Sequence, residues 1–216
     1  MNDPAQAAAY AAADFSEPHG LFIEKFREVF PGINITGHVL DLGCGPADIS
    51  IRFAQVYPEC HIEGVEGAPA MLLEGAAAVK RAGLHHRIKL IQGVIPDLDL
   101  HWKKYQVILS NSLLHHLHNP GVLWQYLKKV AAEDTLVFVM DLIRPESRQK
   151  AEMLVNTYCE SAPDILRRDF YNSLCAAFTP KEIEQQIEET GLVGLNIDTI
   201  SDRHLIIYGK FMIAQK

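Results

Sequence analysis

An acidic residue and two closely spaced glycines follow a short apolar run near residue 40. The stretch from Val39 to Ser50 reads VLDLGCGPADIS and contains Asp41, Gly43 and Gly45. The apolar residues predict a buried strand, and the glycines predict a tight turn that needs a positive φ or lets a ligand approach the backbone. Pro46 is typical of the first position of a helix. Strand, turn and helix in this order open a doubly wound α/β domain, whose ligands lie outside the carboxyl ends of the strands.

The turn does not match the loops that bind phosphates. The dinucleotide fingerprint has Gly or Ala where this chain has Asp48, and no G-x-x-x-x-G-K-S/T string follows the strand. A carboxylate at Asp41 would repel a phosphate but could pair with an ammonium group. The pattern therefore predicts a nucleoside ligand with a cationic tail. Asp48 is either a contact of that ligand or an acid that stabilises the start of the helix.

The D-L-G-C-G string resembles the cofactor loop of class I S-adenosylmethionine-dependent methyltransferases, and the resemblance covers about residues 38 to 141. Glu66 lies where this family places an acid that binds both ribose hydroxyls. Many relatives have an acid after Gly93, where this chain has Val94, so adenine would contact backbone groups and apolar side chains. The resemblance implies S-adenosyl-L-methionine as the cofactor, bound by Asp41, Gly43, Cys44, Gly45, Glu66, Gly67, Met71, Gly93, Val94, Ile95 and Asn111. Cys44 fits a small packed side chain better than a nucleophile.

The family and the alternation of strand-like and helical patterns predict an α/β fold, a doubly wound Rossmann-like sheet of about seven strands. The sheet is expected to be mostly parallel, with an antiparallel C-terminal hairpin strand. The strand-like runs are Val39 to Leu42, Cys60 to Val65, Arg87 to Val94, Tyr105 to His116, Thr135 to Asp141, Leu192 to Ile200 and His204 to Ile213. The crossover helices are Ala47 to Tyr57, Ala70 to Ala82 and Val122 to Ala132. The length suits one domain, residues 1–216.

Two helical regions lie outside this alternation. Residues 1–35 are predicted to form a helical N-terminal cap over the cofactor edge. Residues 142–178 are predicted to form a helical insertion after the fifth strand, capped at Ser161 or Asp164 and placed as a substrate lid. The next helix is predicted from Thr179, Pro180 and Glu182, which form a capping box, and Gly191 is expected to end it.

The end of the predicted fourth strand carries a pair of histidines with catalytic potential. Adjacent helical residues point about 100° apart, so only one of His115 and His116 is expected to face the pocket. His116 is the catalytic candidate, and the alternative for either ring is a capping or packing role. The sulfonium already activates the methyl carbon, so a base is needed only for an acceptor that arrives protonated.

Arg144 and Tyr171 complete the catalytic candidates. Together with Arg168 they are predicted to line the acceptor pocket, where an arginine would hold a carboxylate or phosphate of the substrate. The alternative is a solvated helix face with an aromatic anchor.

Composition excludes several classes of function. The net charge of −7 and the lack of a Lys/Arg-rich run argue against nucleic acid. Four widely spaced cysteines without a C-x-x-C pair suggest neither a metal site nor disulfides. No run approaches the roughly 18 apolar residues of a membrane span. A cytoplasmic protein without membrane or nucleic-acid partners is expected, and a homodimer is compatible with the sequence.

The predicted function is methyl transfer from S-adenosylmethionine to an O, N, S or C nucleophile of a small-molecule acceptor by in-line displacement. The D/N-P-P-Y motif of base-amino methyltransferases is missing after the fourth strand, which favours a small acceptor. Two alternatives stay open at this point. One is a non-catalytic S-adenosylmethionine-binding module that supports a partner protein, and the other is an NAD-dependent oxidoreductase, disfavoured by Asp48 and by the lack of a Y-x-x-x-K pair.

Overall fold

The strand predicted before the glycine turn lies at the centre of the sheet. A computed structural model describes residues 4–100 and 104–212. Their seven strands are β1 (His38–Leu42), β2 (His61–Glu66), β3 (Ile88–Gln92), β4 (Tyr105–Asn111), β5 (Leu136–Leu142), β6 (Leu195–Thr199) and β7 (His204–Lys210). The order in the sheet is β3-β2-β1-β4-β5-β7-β6. β1 to β5 pair in parallel, whereas β7 pairs antiparallel with β5 and β6, which confirms the predicted fold class.

Eight helices accompany this sheet in the described part of the chain. They are α1 (Pro4–Ala12), α2 (Ser16–Val29), α3 (Asp48–Val56), α4 (Pro69–Arg81), α5 (Gly121–Val130), α6 (Arg148–Tyr158), α7 (Asp164–Ala176) and α8 (Pro180–Thr190). A single 3-10 turn, Leu114–His116, follows β4. None of these helices is long and apolar enough to cross a membrane.

Apolar side chains cover both faces of the sheet, because successive residues of a strand point to opposite faces. On one face, Phe26 of α2 and Phe53 of α3 pack edge to face, with ring centroids 4.9 Å apart. On the other face, Trp124 of α5 and Ile183 of α8 are fully buried. Helices on both faces leave the carboxyl ends of the parallel strands as the open edge, and the strand order reverses between β1 and β4.

Several predicted boundaries are wrong by a few residues. Pro46 is not the first residue of a helix, since α3 begins at Asp48 after Ala47, whose φ is +67°. The fourth strand ends at Asn111, because the chain then turns through Ser112. The predicted strand from His204 ends at Lys210, and Ile213 lies outside the described residues.

The helical insertion has its own small core, in which Leu154 and Leu174 are buried between α6 and α7. Neither Ser161 nor Asp164 caps a helix: the residue before α7 is Pro163, and the cap with a side-chain bond is Ser147 at the start of α6. The capping box at the start of α8 and the glycine that ends this helix are confirmed. The N-terminal helix α1 contacts both α4 and α7, so it spans the open edge of the sheet.

Candidate active site

A cavity of about 350 Å³ lies at the carboxyl ends of β1 and β4, beside the N-terminal helices. Such a volume is in the range of small-molecule and cofactor sites. Its lining residues are Tyr10, His19, Asp41, Gly43, Cys44, Gly45, Pro46, Asp48, Ile49, Glu66, Ala68, Met71, Asn111, Ser112, Leu113 and His116. The cavity therefore includes the glycine turn, the end of β2 and the end of β4.

Glu66 is held in the cavity by two backbone groups. Its Oε2 accepts from the N–H of Gly45 at 3.1 Å, and its Oε1 accepts from the N–H of Ala68 at 2.8 Å. An ionised carboxylate offers about four lone-pair positions. Two acceptor positions therefore remain for donors that enter the cavity.

Asp41 lies on β1 and is almost completely buried. Burial raises the pKa of this carboxyl to about 6, although the hydroxyl of Ser50 donates to Oδ2 at 2.5 Å and opposes the shift. The charge of Glu66 raises the pKa further. A cation brought next to Asp41 would favour its ionised form.

The two glycines of the turn differ in their surroundings. Both have positive φ, +72° at Gly43 and +52° at Gly45. A Cβ at Gly43 would lie 3.0 Å from Leu113, whereas a Cβ at Gly45 would meet nothing within 4 Å. Gly45 therefore leaves open space above its backbone, as expected where a ligand approaches the turn.

The end of β4 presents polar groups to the same cavity. Oδ1 of Asn111 is buried and has no hydrogen-bond partner among the described residues. An unpaired buried acceptor is costly, so Asn111 fits a ligand that donates to it. Ser112 follows with a φ of +56°, a conformation that L residues rarely adopt and that is common at functional sites.

The two adjacent histidines have different surroundings in the structure. His116 lines the cavity, while His115 is buried behind it with Nδ1 2.6 Å from Oδ1 of Asp141. His116 is partly exposed, but desolvation by the surrounding protein lowers the pKa of its ring to about 4, with a further lowering from His115. His116 is therefore a neutral imidazole at pH 7, and one of its ring nitrogens has a free lone pair.

The N-terminal cap supplies two cavity residues, Tyr10 and His19, that are not among the predicted catalytic or cofactor-binding residues. Asp48 accepts from His19 and from Arg52, each at 2.6 Å, and these bonds outweigh burial and lower the pKa of Asp48. The phenol of Tyr10 also lines the cavity, where burial and the charges of Asp48 and Glu66 raise its pKa to about 12. The only sequence signal for these contacts was the apolar, aromatic character of the cap.

Other predicted site residues lie away from the cavity wall. The side chain of Arg144 pairs with Glu182 of the capping box, and Tyr171 packs against the core of α6 and α7. Arg168 is exposed on α7. These three side chains are bound or solvated elsewhere. The structure therefore does not bring them together as the wall of an acceptor pocket.

Four predicted cofactor contacts lie beside the cavity, at the ends of β2 and β3. They are Gly67, Gly93, Val94 and Ile95, and none of them forms part of its wall. The N–H of Gly93 donates to the carbonyl of Glu66 at 3.0 Å, and the Val94 side chain is 62% exposed. The remaining predicted contacts, Asp41, Gly43, Cys44, Gly45, Glu66, Met71 and Asn111, all line it.

The cavity carries carboxylates but no lysine or arginine among the described residues that line it. The guanidinium of Arg52, on the same helix as Asp48, is bound to the carboxylate of Asp48. In the described ranges, no group of three or more His, Cys, Asp or Glu residues could hold a metal ion. The polar groups available to the site are therefore carboxylates, imidazoles, a phenol, an amide, a hydroxyl and a thiol.

Comparisons with known proteins agree with this geometry. A family model described as a methyltransferase domain matches residues 39–133, which include the glycine turn, Glu66 and the end of β4. The whole chain is similar in fold to a SAM-dependent methyltransferase from Aquifex aeolicus, with a TM-score of 0.72 over 98% of this chain and 100% of that one, at 15% identity. Residues 39–133 therefore match the methyltransferase domain family, and the fold of the chain is that of an S-adenosylmethionine-dependent methyltransferase.

Two further similarities are to proteins whose names or ligands contain the S-adenosyl group. The plantazolicin methyltransferase BpumL in complex with SAH has the same fold, with a TM-score of 0.68 and 15% identity over 95% of this chain and 84% of that one. The carboxy-S-adenosyl-L-methionine synthase of Dichelobacter nodosus is 29% identical over 112 residues, 50% of this chain and 46% of that protein. The chain spans less than half the length of the curated relatives it matches first. These comparisons support the predicted resemblance to this family, and with it S-adenosylmethionine as the cofactor.

Proposed function

We propose that this protein transfers the methyl group of S-adenosylmethionine to an uncharged small-molecule acceptor, and that His116 takes up the acceptor's proton. One observation carries the proposal: a single cavity contains the acid at the end of β2, the open turn at Gly45 and a neutral imidazole after β4. The first two fit the cofactor, and the third fits the acceptor.

The residues of the cavity fit the cofactor group by group. The free acceptor positions of Glu66 suit the two ribose hydroxyls, and the carboxylate of Asp41 suits the ammonium of the methionine tail. Gly45 leaves the space that a bound nucleoside needs. Oδ1 of Asn111 offers a further acceptor for that ammonium. Met71, with Val94 and Ile95 beside the cavity, supplies an apolar edge for adenine.

The proton of the acceptor goes to His116. When bound, the cofactor supplies an electrophilic methyl carbon, which the lone pair of the acceptor attacks while the electron pair of the carbon–sulfur bond stays on sulfur. An O–H or N–H acceptor releases its proton in this reaction, and the neutral ring of His116 binds it. The protein thus contributes alignment of the two ligands and one base.

The charge of the cavity favours an acceptor without a carboxylate or phosphate. Asp41, Asp48 and Glu66 line the cavity, and no described lysine or arginine side chain does. An anionic acceptor would have no protein cation as a partner and would be repelled by these carboxylates. We therefore do not propose that Arg144 or Arg168 binds a carboxylate or phosphate of the acceptor.

The proposal is tested by binding and then by turnover. Calorimetry should detect S-adenosylmethionine and not NAD, and a screen of phenols, alcohols and aromatic amines, which are uncharged at pH 7, should identify an acceptor through release of S-adenosylhomocysteine. His116→Ala should then keep cofactor affinity within a few-fold and lower kcat by about 100-fold or more. Cofactor binding with no turnover across the screen would favour the alternative, a binding module for a partner protein. The predicted cytoplasmic location, the homodimer and the absence of nucleic-acid partners stay predictions.

A further inference from the structure

One charged side chain interrupts the apolar strand β5. The strand reads LVFVMDL and is buried along its whole length. The side chain of Asp141 is only 2% exposed, and that of its partner His115 is 3% exposed. A carboxylate is costly to bury unless hydrogen bonds satisfy its oxygens, so its donors indicate what it holds in place.

Asp141 accepts three hydrogen bonds. The N–H of Leu114 donates to Oδ2 at 2.8 Å, Nδ1 of His115 lies 2.6 Å from Oδ1, and the N–H of Leu142 donates to Oδ1 at 2.7 Å. A carboxylate only accepts, so Nδ1 carries the hydrogen. Two of the three donors belong to the 3-10 turn, Leu114–His116, and this turn is therefore fixed to the end of β5.

The turn places His116 directly against His115. The ring centroids of the two histidines are 4.1 Å apart, with an interplanar angle of 46°. The turn is reached through Ser112 in the left-handed region, and the N–H of Ser112 donates to the carbonyl of Met140 at 2.9 Å. The path of the chain between β4 and the turn thus depends on contacts with β5 at both ends.

We propose that Asp141 is a positioning residue for His116 and acts through His115 and the 3-10 turn. Neither Asp141 nor His115 lines the cavity, whereas His116 does. The buried pair fixes the position of the reacting imidazole. A histidine after a turn without such a pair would have no fixed position. This inference rests on the proposed role of His116 as the base.

A matched pair of variants at His115 tests the link without removing the buried acid. Asparagine can place an amide N–H where the ring has Nδ1–H, while leucine has a similar volume and no donor. We expect His115→Asn to keep kcat within about 3-fold of the wild type, and His115→Leu and Asp141→Asn to lower kcat by about 10- to 100-fold. KM for the acceptor and the Kd for S-adenosylmethionine should change only a few-fold.

Double variants separate positioning from a merely structural role. In a His116→Ala background, Asp141→Asn should lower turnover by less than about 3-fold, because the side chain it positions is gone. An equal loss in both backgrounds would overturn the inference, as would wild-type kcat in His115→Leu. If Asp141→Asn does not fold, the difference in kcat between His115→Asn and His115→Leu tests the positioning role.

The ring resonances of His116 in the free protein give a readout that needs no acceptor. They are assigned by their loss in His116→Gln, and Asp141→Asn should move or broaden them. If His116→Ala keeps full turnover, the proposed base fails while this spectrum still tests the positional link. Unchanged His116 resonances in Asp141→Asn would overturn the inference by themselves.

Discussion

The carboxylate of Glu66 accepts a hydrogen bond from the backbone N–H of Gly45, with 3.1 Å between Oε2 and N. This bond joins the end of β2 to the glycine turn after β1. The two features that we propose for cofactor binding are therefore parts of one surface. Loss of either feature should weaken cofactor binding, by different physical routes.

Replacement of Glu66 removes the acceptor that we propose for the ribose hydroxyls. Charged hydrogen bonds contribute about 1.5–3 kcal/mol, so Glu66→Ala should weaken S-adenosylmethionine binding by about 10- to 150-fold. Calorimetry measures the change. Glu59→Gln is the control, because it removes an exposed carboxylate near the other end of the same strand. An unchanged Kd in folded Glu66→Ala would remove this residue from the site.

A side chain at Gly45 should block the cofactor more than it destabilises the fold. Gly45→Ala places a Cβ in open space at a φ of +52°, and Gly83→Ala does the same at +70° in the turn after α4. A left-handed alanine costs about 1 kcal/mol, so thermal unfolding should show similar losses for both variants. Only Gly45→Ala should lose cofactor affinity. Equal affinity in the two variants would contradict our placement of the ligand on this turn.

The pKa of Asp41, raised to about 6 by burial, predicts that cofactor binding depends on pH. If the ionised carboxylate pairs with the ammonium of the cofactor, the free protein must lose a proton to bind below pH 6. The Kd should then rise about tenfold per pH unit below 6, and Asp41→Asn should flatten this slope. Ser50→Ala removes a donor that stabilises the carboxylate, so the break should move to higher pH.

The raised pKa of Asp41 has the opposite effect on the stability of the free protein: cofactor affinity increases with pH, whereas the free energy of unfolding decreases. The folded pKa of Asp41 is above its unfolded value, so its protonated form stabilises the fold at low pH. This contribution is lost as the pH rises from about 4 through 6. Urea unfolding of Asp41→Asn without cofactor should show a weaker decline over this range than the wild type. An identical pH profile of stability in both proteins would contradict the raised pKa.

Variants of Tyr10 and Tyr171 test whether the N-terminal cap or the helical insertion forms the wall of the acceptor pocket. Tyr10 lines the cavity, whereas Tyr171 packs between α6 and α7. Loss of one neutral hydrogen bond costs about 0.5–1.5 kcal/mol, so Tyr10→Phe should lower kcat/KM for the acceptor by about 2- to 13-fold. Tyr171→Phe should leave kcat/KM unchanged. The reverse result would restore the insertion as the acceptor lid.

The sequence by itself determined the parts that depend on local patterns. The apolar run before Gly43, the acid at Glu66 and the capping box at Thr179 are each defined by neighbours within a few residues. Their structures follow from strand period, turn geometry and helix capping, which act over the same short range. The helix starting at Asp48 was missed by two residues because Ala47 adopts a left-handed conformation that no propensity favours.

The tertiary structure alone decided which side chains meet in the cavity. Adjacent histidines have the same local pattern, and only the buried Asp141, 26 positions away, turns His115 inward and leaves His116 in the cavity. Tyr10 reaches the site because α1 packs across the open edge of the sheet, and Arg144 leaves it because Glu182 binds the guanidinium. These choices depend on contacts between distant segments, which burial and hydrogen bonding select only once the whole chain has folded.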